Sequence, residues 1–173
     1  VIVEYNDKRK LATIKGVDEN YNKVTAIDSM IAQGNWVENN TDQVVSGWGI
    51  SNNLSFGIFD YAKSLTIYVP KPGKGQISSV KGAFNSLNVI NVGVFQINEE
   101  LDSEYIYANL DTAKFLLNYK DNQVNAIELK LNDDADETKV KEAALAAFGD
   151  RVIVKNRAQL NDSLYKMLNT ENI

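Results

Sequence analysis

The sequence predicts an α+β fold in which a small βαβ-containing subdomain is interrupted by a mostly β insertion. Residues 126–131 alternate apolar and polar side chains, as a strand with one buried face does. A helical pattern follows over residues 136–148 with Gly149 as its C-cap, and residues 152–155 again have strand composition. This succession is a βαβ unit, whose helix covers one face of a small sheet.

The N-terminal segment is predicted to complete that sheet. Residues 1–5 and 10–15 flank the polar stretch 6–9, which is typical of a hairpin with a four-residue turn. Two or three strands alone are only marginally stable, so we expect the hairpin to pair with the βαβ unit. Residues 1–25 and 120–156 are therefore predicted to build one subdomain.

The intervening residues 40–119 are predicted to be the insertion. Residues 24–33, ahead of it, have no clear period and are interpreted as a short helix that ends at Gly34. Two helices are predicted inside the insertion, over residues 47–56 and 111–119. Its strands are predicted at three segments: residues 65–69, 89–97 and 105–109.

The last residues, 157–173, are predicted to form an amphipathic helix. Asn156 followed by Gln159 has the spacing of a capping box. An apolar stripe follows at helical spacing, formed by Leu160, Leu164, Met167 and Leu168. In isolation such a helix is expected to pack on the sheet.

Two clusters of acidic residues have structural interpretations. Residues 133–137 directly precede the predicted helix 136–148, where acids cap the N-terminus and oppose the helix dipole. Residues 99–104 lie between two predicted strands and are interpreted as a solvated hairpin tip. A glycosidase acid pair is disfavoured there, since consecutive residues of a tip rarely face one cleft.

Composition excludes several classes of function. The net charge of −5 argues against a nucleic-acid-binding domain, which usually presents a basic face. The chain has no histidine and no cysteine, so catalysis by Ser-His-Asp or Cys-His groups and zinc sites of Cys and His type are excluded within it. No cofactor or metal is predicted, and no catalytic residue is assigned.

A glycine motif at Gly47-Trp48-Gly49 does not indicate dinucleotide binding. The third glycine of the fingerprint is replaced by Asn52, and Val69 stands where an acidic residue is expected. Trp36 and Trp48 are both interpreted as packing residues rather than ligand contacts.

Five segments, taken in order, resemble the extracytoplasmic (MacB-like periplasmic core) domain of FtsX-like ABC transporter permeases. Residues 12–18 read Ala-Thr-Ile-Lys-Gly-Val-Asp, similar to a family strand that follows the first transmembrane helix. Residues 47–54 resemble its Gly-x-Gly-Leu-Ala-x-x-Leu segment, with Ser51 in place of alanine. The later matches are residues 64–70, the end of a strand at 92–95, and Asp102 followed by Leu110, Ala113, Leu116 and Leu117.

The resemblance implies a porter-like subdomain at residues 1–25 plus 120–156, a sabre-like insertion at 40–119, and a stalk helix at 157–173 that leads to a transmembrane segment in the full protein. It is closest to the lipoprotein-releasing permeases, so it implies a domain in the periplasm, held at the inner membrane. A separate cytoplasmic subunit would hydrolyse ATP, and a second permease subunit would join through the membrane part.

One segment is singled out as a partner-binding site. Residues 61–98 contain no acidic residue and four lysines, within a chain of negative net charge. In the lipoprotein-releasing permeases a hairpin after a strand ending in Val-Pro hooks a periplasmic carrier, and Val69-Pro70 lies at that place here. The resemblance and the exposed apolar residues assign partner binding to Lys71, Lys74, Ile77, Val80, Lys81 and Phe84.

Alternatives remain open at this point. The hairpin lysines also fit an edge that avoids aggregation, with its apolar residues folded back on the sheet. The same family contains MacB-type efflux pumps and FtsX-type cell-division regulators. A free-standing extracytoplasmic binding or adhesion module is a different class that the composition also permits.

Overall fold

The computed structural model describes residues 1–71 and 82–160, which form a mixed α+β structure. These residues fall into two compact units, Val1–Glu128 and a second that begins at Leu129. The α+β class predicted from the sequence is confirmed. The two units divide the chain at a place different from the predicted subdomain boundaries.

Strands and helices alternate through the first unit. The strands are β1 (Ile2–Tyr5), β2 (Lys8–Leu11), β3 (Thr13–Val17), β4 (Ile31–Gly34), β5 (Gln43–Gly47), β6 (Leu65–Pro70), β7 (Phe84–Phe95) and β8 (Tyr105–Asn109). The helices are α1 (Tyr21–Val24), α2 (Trp48–Leu54), α3 (Glu99–Glu104) and α4 (Leu110–Leu117), with a 3-10 helix at Ile27–Met30. The second unit contains α5 (Glu137–Phe148) and a 3-10 turn at Gly149–Arg151.

The first unit is built on one mixed sheet with the order β2-β1-β6-β7-β5-β8-β3. The long strand β7 pairs with β6 through residues 84–89. Further along, the same strand lies parallel to β5 and antiparallel to β4. At the far edge β3 runs parallel to β8. Strands β2 and β3 end this order on opposite sides although only Ala12 separates them, so the sheet must curl.

The N-terminal hairpin has a tighter turn than predicted. Tyr5 pairs directly with Lys8, which leaves two turn residues instead of four. These residues, Asn6 and Asp7, have φ values of 48° and 65°. Asn and Asp tolerate this left-handed conformation, and a two-residue turn of this kind matches the twist of the strands. The predicted single strand over residues 10–15 is divided at Ala12 into β2 and β3.

The hairpin does not pair as the sequence suggested. Strand β1 pairs antiparallel with β6, which lies inside the predicted insertion. Residues 126–131 and 152–155 carry no strand assignment, so the predicted strands of the βαβ unit are wrong. Val3 and Tyr5 lie on one face of β1 and are buried, as are Ile67 and Leu65, which lie opposite them in β6. This pattern fits β6 as well as it fits the partner strands that the sequence suggested.

The predicted helix of the second unit is confirmed. Asp136 caps α5, its carboxylate accepting from the backbone N–H of Thr138 at 3.0 Å, and Gly149 is the C-cap. Asn156 and Gln159 bond reciprocally at 3.0 and 2.9 Å, as a capping box does. Residues 157–160 are helical. The rest of the predicted terminal helix, 161–173, lies outside the described residues.

Residues 99–104 form helix α3, so the predicted hairpin tip is wrong. Strands β7 and β8 are not neighbours, because β5 lies between them. Asn98 caps the helix, accepting from the N–H of Leu101 at 2.9 Å. Asp102 is buried, and its Oδ1 accepts from the N–H of Ile97 at 2.7 Å. The predicted helix over 24–33 is replaced by the end of α1, the 3-10 helix and β4.

Two hydrophobic clusters hold the first unit together. Adjacent residues of β5 and β8 join different clusters, as the two-residue period of a strand requires. The larger cluster includes α2 and α4: Val3, Tyr5, Val44, Ile50, Leu54, Phe56, Leu65, Ile67, Val89, Ile106, Ala108 and Leu116. The other consists of Val17, Ile27, Val37, Val45, Val92, Phe95 and Tyr107. The sheet is therefore buried on both faces.

Helix α4 crosses β3 at Gly16. A Cβ at residue 16 would overlap the Cβ of Ala113 and lie 3.3 Å from the Cα of Leu110. Only glycine permits this approach, because every other residue would push the helix away from the strand. The helix packs its buried Leu116 into the larger cluster from this position.

We expect Gly16→Ala to lower the free energy of unfolding by about 1–3 kcal/mol, since the added methyl overpacks the crossing with α4. Urea denaturation followed by far-UV circular dichroism measures the change. Gly57→Ala is the matched control, because a Cβ there meets nothing within 4 Å. Equal stability of the two variants would contradict the close approach at Gly16.

Candidate functional site

The predicted partner-binding segment lies at the end of a β-hairpin formed by β6 and β7. The two strands pair from Leu65 with Val89 to Pro70 with Phe84. The pairing continues one step further, where the N–H of Lys71 donates to the carbonyl of Ala83 at 2.8 Å. Strand β1 accompanies β6 only as far as Tyr68. The described end of the hairpin therefore extends beyond β1.

Two of the six predicted contact residues are described by the structure. Lys71 is exposed, as a steering charge requires. Phe84 is half-buried, and its ring meets that of Tyr68 edge-on at 6.3 Å between centroids. Phe84 therefore packs on the hairpin itself. The remaining four, Lys74, Ile77, Val80 and Lys81, lie outside the described residues.

The described hairpin is fixed to the rest of the unit close to its far end. Asn85 Nδ2 donates to the carbonyl of Leu116, at the end of α4, at 3.2 Å. Thr66 Oγ1 donates to Asn88 Oδ1 across the strands at 2.8 Å. The described end of the hairpin is therefore held against α4.

The strand beside the hairpin adds no net charge to it. Glu4 of β1 lies opposite Thr66 and accepts from the hydroxyl of Tyr68 at 3.3 Å. The same carboxylate pairs with Arg9, which raises the pKa of the guanidinium. Since Arg9 compensates Glu4, the positive charge predicted for the hairpin is not cancelled by this acid.

Trp36 packs against aromatic rings, as predicted. Its ring stacks on Tyr21 at 6.3 Å and lies 5.3 Å from the ring of Tyr107. The ammonium of Lys15 lies 5.2 Å from the centre of the Tyr21 ring and also pairs with Glu128. Burial lowers the pKa of Lys15, yet these two neighbours together raise it above its ordinary value.

Trp48 is not a packing residue, so that prediction is wrong. Its side chain is 47% exposed. Gly47 and Gly49 on either side of it lie against α3, where a Cβ would overlap Asp102 and Ser103 respectively. The glycines that resembled a nucleotide-binding fingerprint therefore serve the packing of α2 on α3. The tryptophan between them remains at the surface.

Trp48 borders a crevice of about 280 Å³, which we call the Trp48 crevice. Its lining consists of Gln33, Trp48, Ser51, Asn52, Ser55, Phe56 and Val94. Sequence reasoning missed this site because its residues come from β4, α2 and β7. The signal that the sequence offered for this crevice was a tryptophan between two glycines.

A second crevice, of about 290 Å³, lies at the carboxyl ends of the parallel strands β3 and β8. Its lining is acidic, with Asp18, Glu19 and Glu38 beside Asn109 and Trp36. Within residues 1–71 and 82–160, no three acidic side chains converge closely enough to hold a metal ion. Asn109 Nδ2 instead donates to the carbonyls of Glu38 and Thr41, at 2.9 and 2.8 Å, which fixes the adjoining loop.

No protein-family model matches the chain, and no curated protein is similar enough to be counted as a relative. Among the described helices, none combines the length and the apolar composition needed to cross a membrane.

We expect the free energy of unfolding to fall as the pH rises above about 10. Burial, and to a lesser extent the neighbouring Tyr21, raises the pKa of Tyr107 in the folded protein. The unfolded chain therefore loses this proton first, so the stability due to the neutral phenol is present below pH 10 and is lost above it. Urea denaturation at pH 8, 10 and 11 measures the decline.

Tyr107→Phe should make that alkaline decline less steep, because phenylalanine has no proton to lose. Tyr61→Phe is the matched control, at a side chain that is 75% exposed. Identical slopes for the two variants would contradict the account of Tyr107.

Proposed function

We propose that the chain is a non-catalytic extracytoplasmic domain of an FtsX-like ABC transporter permease subunit. It relays motion from a cytoplasmic ATPase, or hands lipoprotein cargo to a periplasmic partner. The observation that carries the proposal is the order of the family-like motifs, together with the β-hairpin that follows Val69-Pro70.

Contacts between the motifs support this proposal. Gly16, from the motif at residues 12–18, lies against Ala113 of the last motif. Gly47, from the second motif, lies against Asp102, which begins the last one. Segments that match only weakly one by one are thus packed on each other within one unit.

The described part of the hairpin also fits a partner-binding role. Its described end extends beyond β1, Asn85 near that end bonds the carbonyl of Leu116 in α4, and Lys71 is exposed. An exposed lysine on strands that are held in this way is suited to steer a partner of opposite charge. The family resemblance assigns ATP hydrolysis to a separate cytoplasmic subunit.

The complete gene provides the first test. We expect it to encode four transmembrane segments and to lie beside a gene for an ATPase. A gene with only a signal peptide ahead of this domain would contradict the permease and would favour a free-standing binding module.

Crosslinking in cells tests the hairpin itself. A photoreactive residue introduced as Lys71→p-benzoylphenylalanine in the full-length protein should form an adduct with a periplasmic carrier protein. The same residue at Lys23, an exposed lysine on α1, is the matched control and should not.

Deleting residues 72–82 should weaken binding of that carrier by about thirtyfold or more, which is the contribution of one buried aromatic or aliphatic anchor. Binding that is unchanged after the deletion would overturn the role of the hairpin. Circular dichroism of the deleted protein verifies that β6 and β7 still form.

A further inference from the structure

The Trp48 crevice has the chemistry of a binding site that is independent of the hairpin. All seven lining residues are uncharged. The lining itself offers no opposite charge to an organic amine or a phosphate. The ammonium of Lys8 reaches the crevice from outside the lining, where it already bonds Ser55 Oγ at 3.1 Å. The groups that line it suit a neutral ligand with both polar and apolar surface.

The apolar part of the crevice is aromatic. Trp48 exposes 47% of its side chain, whereas Phe56, at the same site, is 95% buried and holds its place in the larger hydrophobic cluster. A half-exposed indole offers an aromatic contact surface and loses little conformational entropy when a ligand covers it.

The polar part consists of amides that no other group engages. Within residues 1–71 and 82–160, the side-chain amides of Gln33 and Asn52 make no hydrogen bond, and both residues are exposed. Each amide offers two donors and one acceptor oxygen. Ser51 is different, because its hydroxyl already donates to the carbonyl of Phe56 at 2.6 Å.

A third polar group is oriented by the backbone. Ser55, the C-cap of α2, has a φ of 64°, and its Oγ accepts from the ammonium of Lys8 at 3.1 Å. A hydroxyl that accepts from an ammonium directs its own proton elsewhere, so it can donate to a ligand oxygen.

Size limits the ligand further. Pockets for drug-sized molecules occupy about 300–1,000 Å³. The Trp48 crevice, at about 280 Å³, falls just below that range and suits a single ring. A ring with one apolar face and several hydroxyl groups matches both the indole and the free amides.

We propose that the Trp48 crevice binds a neutral pyranose sugar, whose apolar face stacks on the indole of Trp48 while its hydroxyl groups bond the amides of Gln33 and Asn52. The sugar is either free or the end of a glycan chain, and the same ring chemistry serves both.

Nuclear magnetic resonance of the indole N–H groups tests the proposal on the whole chain. The probes are the methyl glycosides of glucose, galactose, mannose and N-acetylglucosamine, together with a linear trisaccharide of N-acetylglucosamine. We expect at least one probe to shift the Trp48 signal saturably and to leave that of Trp36 unchanged. Tighter binding of the trisaccharide identifies a chain as the source, and equal affinity identifies a single sugar.

Three variants of lining residues and one control give the test its specificity. Asn52→Ala and Gln33→Ala change exposed residues and should each weaken the sugar at least about threefold while the fold is retained. Trp48→Phe should weaken it by about tenfold, measured by titration calorimetry. Tyr61→Ala, at an exposed aromatic outside the crevice, is the matched control and should bind normally.

Three results would overturn the proposal. One is the absence of any saturable shift of Trp48 with every sugar. Another is unchanged affinity in both Asn52→Ala and Gln33→Ala. The third is an equal shift of Trp48 with inorganic phosphate, which would show that the site does not select a neutral ligand.

Discussion

The first unit depends on the hydrogen bonds of Asn91, at the middle of β7. The pairing of β5 with β7 shifts register beside this residue, which leaves backbone groups without their regular partners. The buried Asn91 side chain accepts from the N–H of Ser46 at 3.2 Å and donates to the carbonyl of Gly57 at 3.0 Å. The backbone carbonyl of Asn91 also accepts from the backbone N–H of Phe59 at 2.8 Å. One amide thus joins two strands and the loop after α2, so that β7 can pair with β6 on one part and β5 on the next.

Local patterns in the sequence predict most of the elements but few of their partners. Helices α2, α4 and α5 and strands β6, β7 and β8 follow from periodicity and from caps such as Asp136 and Gly149. The partner of β1 cannot be predicted in this way. The alternation of apolar and polar residues fixes which face of a strand is buried, but it does not determine which strand lies beside it. The same limit explains why the sequence predicts a turn at residues 99–104, where the structure has helix α3. Their acidic side chains suit a solvated hairpin tip and the first turn of a helix equally well. Because β5 lies between β7 and β8, the two strands cannot form a hairpin, and the residues that join them form a helix instead.

The two candidate sites differ in how well the sequence predicts them. The hairpin is one contiguous segment, so the lack of acids around Lys71 and the pair Val69-Pro70 make it visible in the sequence. The Trp48 crevice combines three elements that are distant along the chain, and its amides and hydroxyls are common residues in any sequence. Gly47 and Gly49 gave a misleading signal, because their lack of a side chain serves a helix contact rather than a phosphate. Glycine spacing alone does not distinguish the two uses.

The single residue between β2 and β3 has a consequence for how the first unit unfolds. Ala12 exchanges hydrogen bonds with Val1, at 2.9 and 3.0 Å, at the point where the chain passes from one edge of the sheet to the other. In an open sheet the two edge strands can fray separately. Here β2 and β3 are joined by one residue, so a strand that detaches at one edge stays tethered to the strand at the other edge. The chain therefore gains little conformational entropy until both strands have detached. The curled sheet is therefore expected to behave as one cooperative unit in hydrogen exchange, with β2 and β3 exchanging together.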